Sequence, residues 1–154
     1  MYTVRPARAE EIPWVLATAQ ATAWEQVEPA ARPQCDRLAL AAWIQAQMQG
    51  ALQEPGSIVL VAEAEGMRVG YVTLARAQHP IRGTPVGFLL DIWVTPDVRR
   101  QGVANALCQA AEAHCRALGL RETLRTIAAH NPASLEHALK SGCRITQHLL
   151  SKPL

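Results

Sequence analysis

The stretch "VGFLLDIWVTPDVRRQGVANAL", Val86 to Leu107, joins an almost unbroken apolar run to a patterned helix through a proline turn and a basic mouth containing one glycine. Val86–Val94 is predicted as a strand buried on both faces, with Asp91 its only charge. A helix follows from Gly102 to about Leu118. Val103, Leu107, Ala111 and Leu118 form its apolar stripe, and Asn105, Gln109, Glu112 and Arg116 a polar one. Gly119 stands where a left-handed residue ends such a helix. "ETLRTIA" (Glu122–Ala128) is the next strand candidate. Strand, helix and strand make a β-α-β unit, which places its two strands parallel through a right-handed crossover.

Upstream, "SIVLVAEAEGMRVGYVTLARA" holds two β-branched, apolar runs around Glu65-Gly66, the signature of a tight hairpin. "QHPIRGTP" (Gln78–Pro85) is punctuated as a loop. Tyr2–Arg5 reads as a short strand. A helix from Glu10 to about Ala23 carries Ile12, Leu16 and Ala19 at helical spacing, and a second runs from about Asp36 to Leu52 with Leu40, Ile44, Met48 and Leu52 four apart. Downstream, Asn131-Pro132 opens a short helix that Gly142 ends, and "CRITQHLL" closes the pattern as a last strand. The order β-α-α-β-β-β-α-β-α-β predicts an α/β fold. Its centre is a mixed, mostly antiparallel sheet of about six strands flanked by four helices.

Bulk properties limit the function classes. The chain has 154 residues, 49% hydrophobic and 18% charged, which suits one globular domain over residues 1–154. A net charge of +2 argues for neither a nucleic-acid nor a membrane partner. No apolar run approaches the roughly 20 residues of a membrane span. The N-terminus carries acidic residues where a signal peptide needs an apolar core, so the expected location is the cytoplasm. The four cysteines include no C-x-x-C pair, so neither a metal site nor a disulfide framework is expected. Cys108 and Cys115, seven apart on one helix, are assigned to packing. Trp14, Trp24 and Trp43 suit core or partner packing, and a homodimer is an allowed state.

At the helix mouth, the first N–H groups have no partner inside the helix, and the helix dipole adds partial positive charge. Gly102 lets a bulky anion approach the backbone, and Arg99 and Arg100 add fork-shaped donors. These residues fit a pyrophosphate cradle at the end of a buried strand. They also fit an ordinary helix start with two solvated arginines. Neither the Walker pattern nor the G-x-G-x-x-G fingerprint is present.

Arg99-Arg100-Gln101-Gly102-Val103-Ala104 resembles the R/Q-x-x-G-x-G/A signature of the GNAT superfamily of N-acetyltransferases, and "DIWVTPDV" resembles the strand and turn before it. "HNPASLEHALKSGC" resembles that family's Asn-containing helix. The resemblance is close from Val86 onward and rests on element order and the hairpin before that. It implies acetyl-CoA as co-substrate, with no metal. The loop Arg99, Arg100, Gln101, Gly102, Val103 and Ala104 would hold the pyrophosphate. Ile92, Trp93 and Val94 would pair with the pantetheine arm, and Asn131, with Ser134 one turn on, would contact it. Asn131 before a proline is equally an ordinary helix cap.

Acetyl transfer needs a neutral amine, a polarised thioester carbonyl and a departing thiolate. By resemblance, the N–H of Val94 is the polarising donor. Asp91 is the first candidate for general base, since burial inside an apolar strand raises a carboxyl pKa. It also reads as a structural carboxylate paired with an arginine. Alternation sets it on the face opposite Phe88, Leu90, Ile92 and Val94, with Trp93. Glu63, His79 and His130 are reserves. The family's leaving-group acid, a tyrosine seven residues after the Asn, falls on Ala138, with His137 adjacent. The expected function is therefore acetyl-CoA-dependent N-acetylation of an unidentified amine by direct attack. The alternative is a catalytically degenerate CoA-binding sensor or interaction module.

Overall fold

A computed structural model describes the chain from Met1 to Leu154. Five strands form one sheet in the order β1-β2-β3-β4-β5: Tyr2–Pro6, Ile58–Ala64, Met67–Gln78, Pro85–Val94 and Thr123–Leu124. The first four pair antiparallel, and β4 and β5 pair parallel. Helices α1 (Ile12–Gln26) and α2 (Arg37–Leu52) precede β2, α3 (Val103–Ala117) links β4 to β5, and α4 (Pro132–Lys140) follows β5.

Local chemistry accounts for most boundaries. Glu65 and Gly66 both adopt positive φ, the type I′ geometry that matches strand twist across a two-residue hairpin. Asp36 caps α2 by accepting from the N–H groups of Leu38 and Ala39. Pro13 is tolerated because it stands at the second position of α1, where the N–H has no helical acceptor. Gly119, with φ of +74°, ends α3 in a Schellman motif: its N–H donates to Arg116, and the N–H of Leu120 donates to Cys115.

The sheet buries both faces. On one, α3 sends Val103, Leu107, Cys108, Ala111 and Cys115 against Leu60, Val72, Leu74, Leu89 and Val94. On the other, Val15 and Ala19 of α1 and Met48 of α2 pack on Val59, Val61 and Tyr71. Cys108 and Cys115 are thus core residues. The buried stripe of α1 is Val15, Ala19 and Ala23, shifted from the Ile12, Leu16 and Ala19 stripe, because the twisted sheet meets the helix one residue further round. Leu118 is not part of the α3 stripe; it follows the last helical turn and is 42% exposed.

Three expectations about strands are corrected. The sheet has five strands and not six. Residues 143–150 form no strand because no neighbour offers them a ladder. The strand expected over Glu122–Ala128 is reduced to Thr123–Leu124, because β4 leaves its side after Phe88. Simple alternation also fails along β4. Thr73 opposes Asp91 while Leu74 opposes Leu89, so Leu90 is an extra, bulged residue. Phe88, opposite Ala75, therefore shares the α1/α2 face with Asp91 and Trp93, whereas Leu89, Ile92 and Val94 face α3. The second half of β4 is only half-buried from Leu90 to Trp93, so burial on both faces holds only for its first half.

Candidate functional site

The sheet parts in the middle. β4 and β5 pair only at Gly87–Thr123 and Phe88–Leu124, after which β4 continues to Val94 with β3 on one side and no strand on the other. The N–H of Thr95 donates to the Val69 carbonyl at 2.9 Å, which fixes the phase of the β3–β4 ladder. Alternation then turns the backbone groups of Ile92 and Val94 away from β3, into the opening. The Val94 carbonyl on that side accepts from Arg99 Nε at 3.0 Å. Arg99 is thereby tied to the end of the strand with the rest of its guanidinium outward.

The opening leads to the mouth of α3. After the short turn Pro96–Val98, Arg100 and Gly102 both take left-handed backbone, φ of +64° and +86°. The N–H groups of residues 100–105 find no acceptor in the chain, and the first helical bond is from Ala106 to Gly102. Consecutive free donors, an axial dipole and two arginines make a strong anion-binding concavity. Tyr2 braces it from below, its hydroxyl donating to the Gln101 carbonyl at 3.4 Å. A Cβ on Gly102 would lie 3.0 Å from that hydroxyl, a tight contact added to a positive φ that itself favours glycine. Val103 is buried and Ala104 half-buried against the core, which seats the first turn of the helix.

Asp91 lies along the opening on the α1/α2 face. Its Oδ2 accepts from the hydroxyl of fully buried Tyr71 at 2.6 Å, and no lysine or arginine pairs with it. The structural reading with an arginine partner is therefore corrected to a carboxylate–phenol pair. Burial pushes the Asp91 carboxyl above the usual carboxylate range, opposed by the bonds from Tyr71 and the Ile92 N–H. Burial and the neighbouring carboxylate push Tyr71 far up, so it stays a donor. Tyr71 and Trp93 oppose each other in the ladder and stack at 6.2 Å between centroids. Trp14 stands edge-on beside both rings, 5.5 Å from Tyr71 and 6.2 Å from Trp93, and so flanks the stack without capping it. The face of Trp93 turned away from Tyr71 points toward the opening.

The other singled-out residues are distributed as follows. The Asn131 side chain caps α4, accepting from the N–H of Ser134 at 3.1 Å. His130 Nε2 donates to the Glu25 carbonyl at 2.6 Å and ties this helix start to the end of α1. Glu63 is held by Arg5, whose guanidinium also grips Glu11. His79 Nδ1 accepts from the N–H groups of Ile81 and Arg82, so it shapes its own loop, and Arg82 pairs with Glu122. All three reserve bases are thus engaged elsewhere. Ala138 is buried, with no polar side chain to offer. Trp24 lies under Arg37 at 4.1 Å, and Trp43 is exposed. Tyr2 and Tyr71 are absent from the sequence-level candidates. Tyr71 carries a signal only in hindsight, a hydroxyl inside an apolar strand, because its register against Asp91 depends on the bulge.

Comparison with known proteins agrees with this geometry. The acetyltransferase (GNAT) family model matches residues 17–142. An aminoglycoside N(6')-acetyltransferase type 1 from Stenotrophomonas maltophilia is 31% identical over 107 residues, covering 68% of this chain and 67% of the relative. The chain thus spans about two thirds of the length of such relatives. Among solved structures, a GCN5-related N-acetyltransferase from Ralstonia eutropha superposes with a TM-score of 0.73 at 21% identity, covering 100% of this chain and 99% of that one. The aminoglycoside N-acetyltransferase AAC(6')-Iy in complex with CoA gives 0.72 at 20% identity, covering 100% and 95%. No group of His, Cys, Asp and Glu in the chain could hold a metal ion, and no helix is long and apolar enough to cross a membrane.

Proposed function

The chain belongs to the acetyltransferase (GNAT) family and is an acetyl-CoA-dependent N-acetyltransferase, and on that premise we propose that Asp91 takes the proton from a cationic amine acceptor. The observation that carries this reading is the position of Asp91. It is half-buried, paired only with a phenol and a backbone N–H, and borders the opening onto which the Val94 N–H faces.

In this reading the pyrophosphate rests on the free N–H groups of residues 100–105, with Arg99 and Arg100 neutralising its charge. The pantetheine arm extends the sheet along β4 by bonding the outward Ile92 carbonyl, the Ile92 N–H being turned to Asp91, and the outward groups of Val94, beside Trp93, and meets Asn131 and Ser134 across the opening. The Val94 N–H donates to the thioester carbonyl oxygen and stabilises the charge that grows there on attack. The acceptor enters over the free face of Trp93, where an ammonium gains both the ring and the Asp91 carboxylate. Asp91 accepts one proton from the ammonium, the neutral nitrogen bonds to the carbonyl carbon, the carbon–sulfur bond breaks, and the surplus proton on the nitrogen passes to the departing thiolate or to water. The electron pair leaves on the CoA thiolate, a far weaker base than an alkoxide or amide anion, which makes a donor acid dispensable. Ala138 therefore does not preclude turnover.

An aminoglycoside-like amine is the acceptor that the named relatives suggest, and it matches a site built for a cation. The unit that works is a homodimer in this reading. A cytoplasmic location is supported by four cysteines that are all free, as in reducing compartments. Calorimetric titration with acetyl-CoA, followed by thiol release against a panel of polyamines and aminoglycosides, tests it. Binding followed by turnover of cationic amines is expected. Binding with no turnover across the panel would leave a CoA-sensing module instead.

A further inference from the structure

Beyond β5 the chain is held to the rest of the protein at few points. Residues 125–154 make two hydrogen bonds to it: Arg125 Nη1 approaches Cys108 Sγ at 3.9 Å, and His130 Nε2 donates to the Glu25 carbonyl at 2.6 Å. α4 buries only Ala138. The helix that presents Asn131 is therefore set in place by little packing, and the His130 bond is the shorter of the two ties.

That bond crosses the opening. From Leu89 to Val94, β4 has β3 on one side and, beyond the opening, the chain that leaves β5. α1 covers the near bank through Val15 and Ala19 against Tyr71, with Trp93 packed beside them. Glu25 stands in the last turn of α1, and its carbonyl is one of the four that a helix end leaves without a partner. The negative end of the helix dipole favours a donor there. An imidazole N–H from the far bank fills that place. The receiving end is itself firm: Arg32 and Arg37 both lie on the Trp24 ring, at 5.9 and 4.1 Å, and Arg32 Nε donates to the Val27 carbonyl.

We propose that His130 is a positioning residue for the transfer: through the Glu25 carbonyl it clasps the start of α4 to the end of α1, and so fixes Asn131 and Ser134 at the distance from β4 that the pantetheine arm needs. Asn131 follows His130 directly, and its side chain holds the Ser134 N–H at 3.1 Å, so the clasp and both residues move as one unit. Both ends of the His130 bond are exposed. Water can therefore replace it, and the clasp can open for acetyl-CoA to enter and re-form over the arm. This role rests on the reading in which Asn131 and Ser134 meet that arm, and it adds the residue that sets their place.

Calorimetric titration of the full chain with two ligands tests the clasp: acetyl-CoA, which engages cradle and arm contacts, and ADP, which carries the pyrophosphate without the arm. His130→Asn keeps a polar side chain but sets its donor one bond short, whereas His130→Gln restores an N–H donor at the reach of Nε2. His130→Asn is expected to weaken acetyl-CoA by about three- to tenfold, the worth of one hydrogen bond, with ADP unchanged. His130→Gln should bind both ligands like the parent. An acetyl-CoA affinity that is unchanged in His130→Asn, that falls equally for both ligands, or that His130→Gln fails to restore overturns the role. Asn131→Ala reports on the arm contact separately. If it weakens acetyl-CoA while His130→Asn does not, the clasp is refuted and the arm reading stands; if neither does, both fall. Should His130→Asn misfold, hydrogen exchange of the parent decides. Acetyl-CoA, and not ADP, should slow the Ser134 and Val27 N–H groups together, one on each side of the clasp. Protection on the α4 side alone, or on neither, refutes it.

Discussion

Asp91 and Tyr71 show how a carboxylate, the proposed base, can be held ready at low cost to the fold. A buried carboxylate without a partner would lose several kcal/mol of hydration, whereas one strong phenol bond and one backbone bond leave it ionisable. Its raised pKa means that the folded state holds the proton more tightly than the unfolded chain. Its effect on stability is therefore unfavourable as pH rises from the ordinary value of 3.8 through the raised one. Asp91→Asn removes that penalty. Differential scanning calorimetry at neutral pH should show a Tm equal to or above the parent's, where a structural ion pair would show a loss. Tyr71→Phe removes a bond that lowers the Asp91 pKa, so the rising limb of the rate–pH profile should move to higher pH. Thermal unfolding should reveal a cost of roughly 1–3 kcal/mol for the unpaired carboxylate.

At the scale of elements, the proposed cofactor site is made by the end of one strand and the start of one helix. Gly102→Val would force a branched residue into left-handed backbone and against Tyr2. Strain of about 1–3 kcal/mol at that residue should distort the mouth and weaken acetyl-CoA by tenfold or more in calorimetry, with α3 retained in circular dichroism. This mouth was legible from Arg99 to Ala104 because its chemistry is local: charge, glycine and a helix start lie side by side in the chain. The Glu65-Gly66 hairpin and the Gly119 stop were legible for the same reason. The bulge at Leu90 was not. It depends on how β3 and β4 settle against each other, and it moved Phe88 to the face of Asp91. The parting of β4 from β5 and the Tyr71–Asp91 pair are likewise products of register, which neither composition nor period records.

On the scale of the whole molecule, the first strand is bound to the start of the first helix by one half-buried network. Arg5 bridges Glu11 and Glu63, and Glu11 also accepts from the Arg8 N–H at 2.8 Å. The Arg5 guanidinium, followed by that N–H, holds the Glu11 carboxyl down at about 2 from an ordinary 4.5. A depressed carboxyl stabilises the fold fully above the unfolded value and ceases to do so as pH falls through the folded one. Denaturant unfolding should therefore lose stability between pH 4.5 and about 2, and Glu11→Gln should remove much of that acid sensitivity. The last strand was misread because its pattern is genuine while no strand of the sheet lies alongside residues 143–150 to pair with it.

The central claim, that Asp91 is the base serving a thioester held on β4, is tested most directly by kcat/KM for a cationic amine measured against pH at saturating acetyl-CoA. The parent should show a rising limb above the usual carboxylate range. Asp91→Asn should lose that limb and fall by about 10²–10⁴-fold, with the affinity for acetyl-CoA unchanged. A variant that follows the parent's profile would contradict the account.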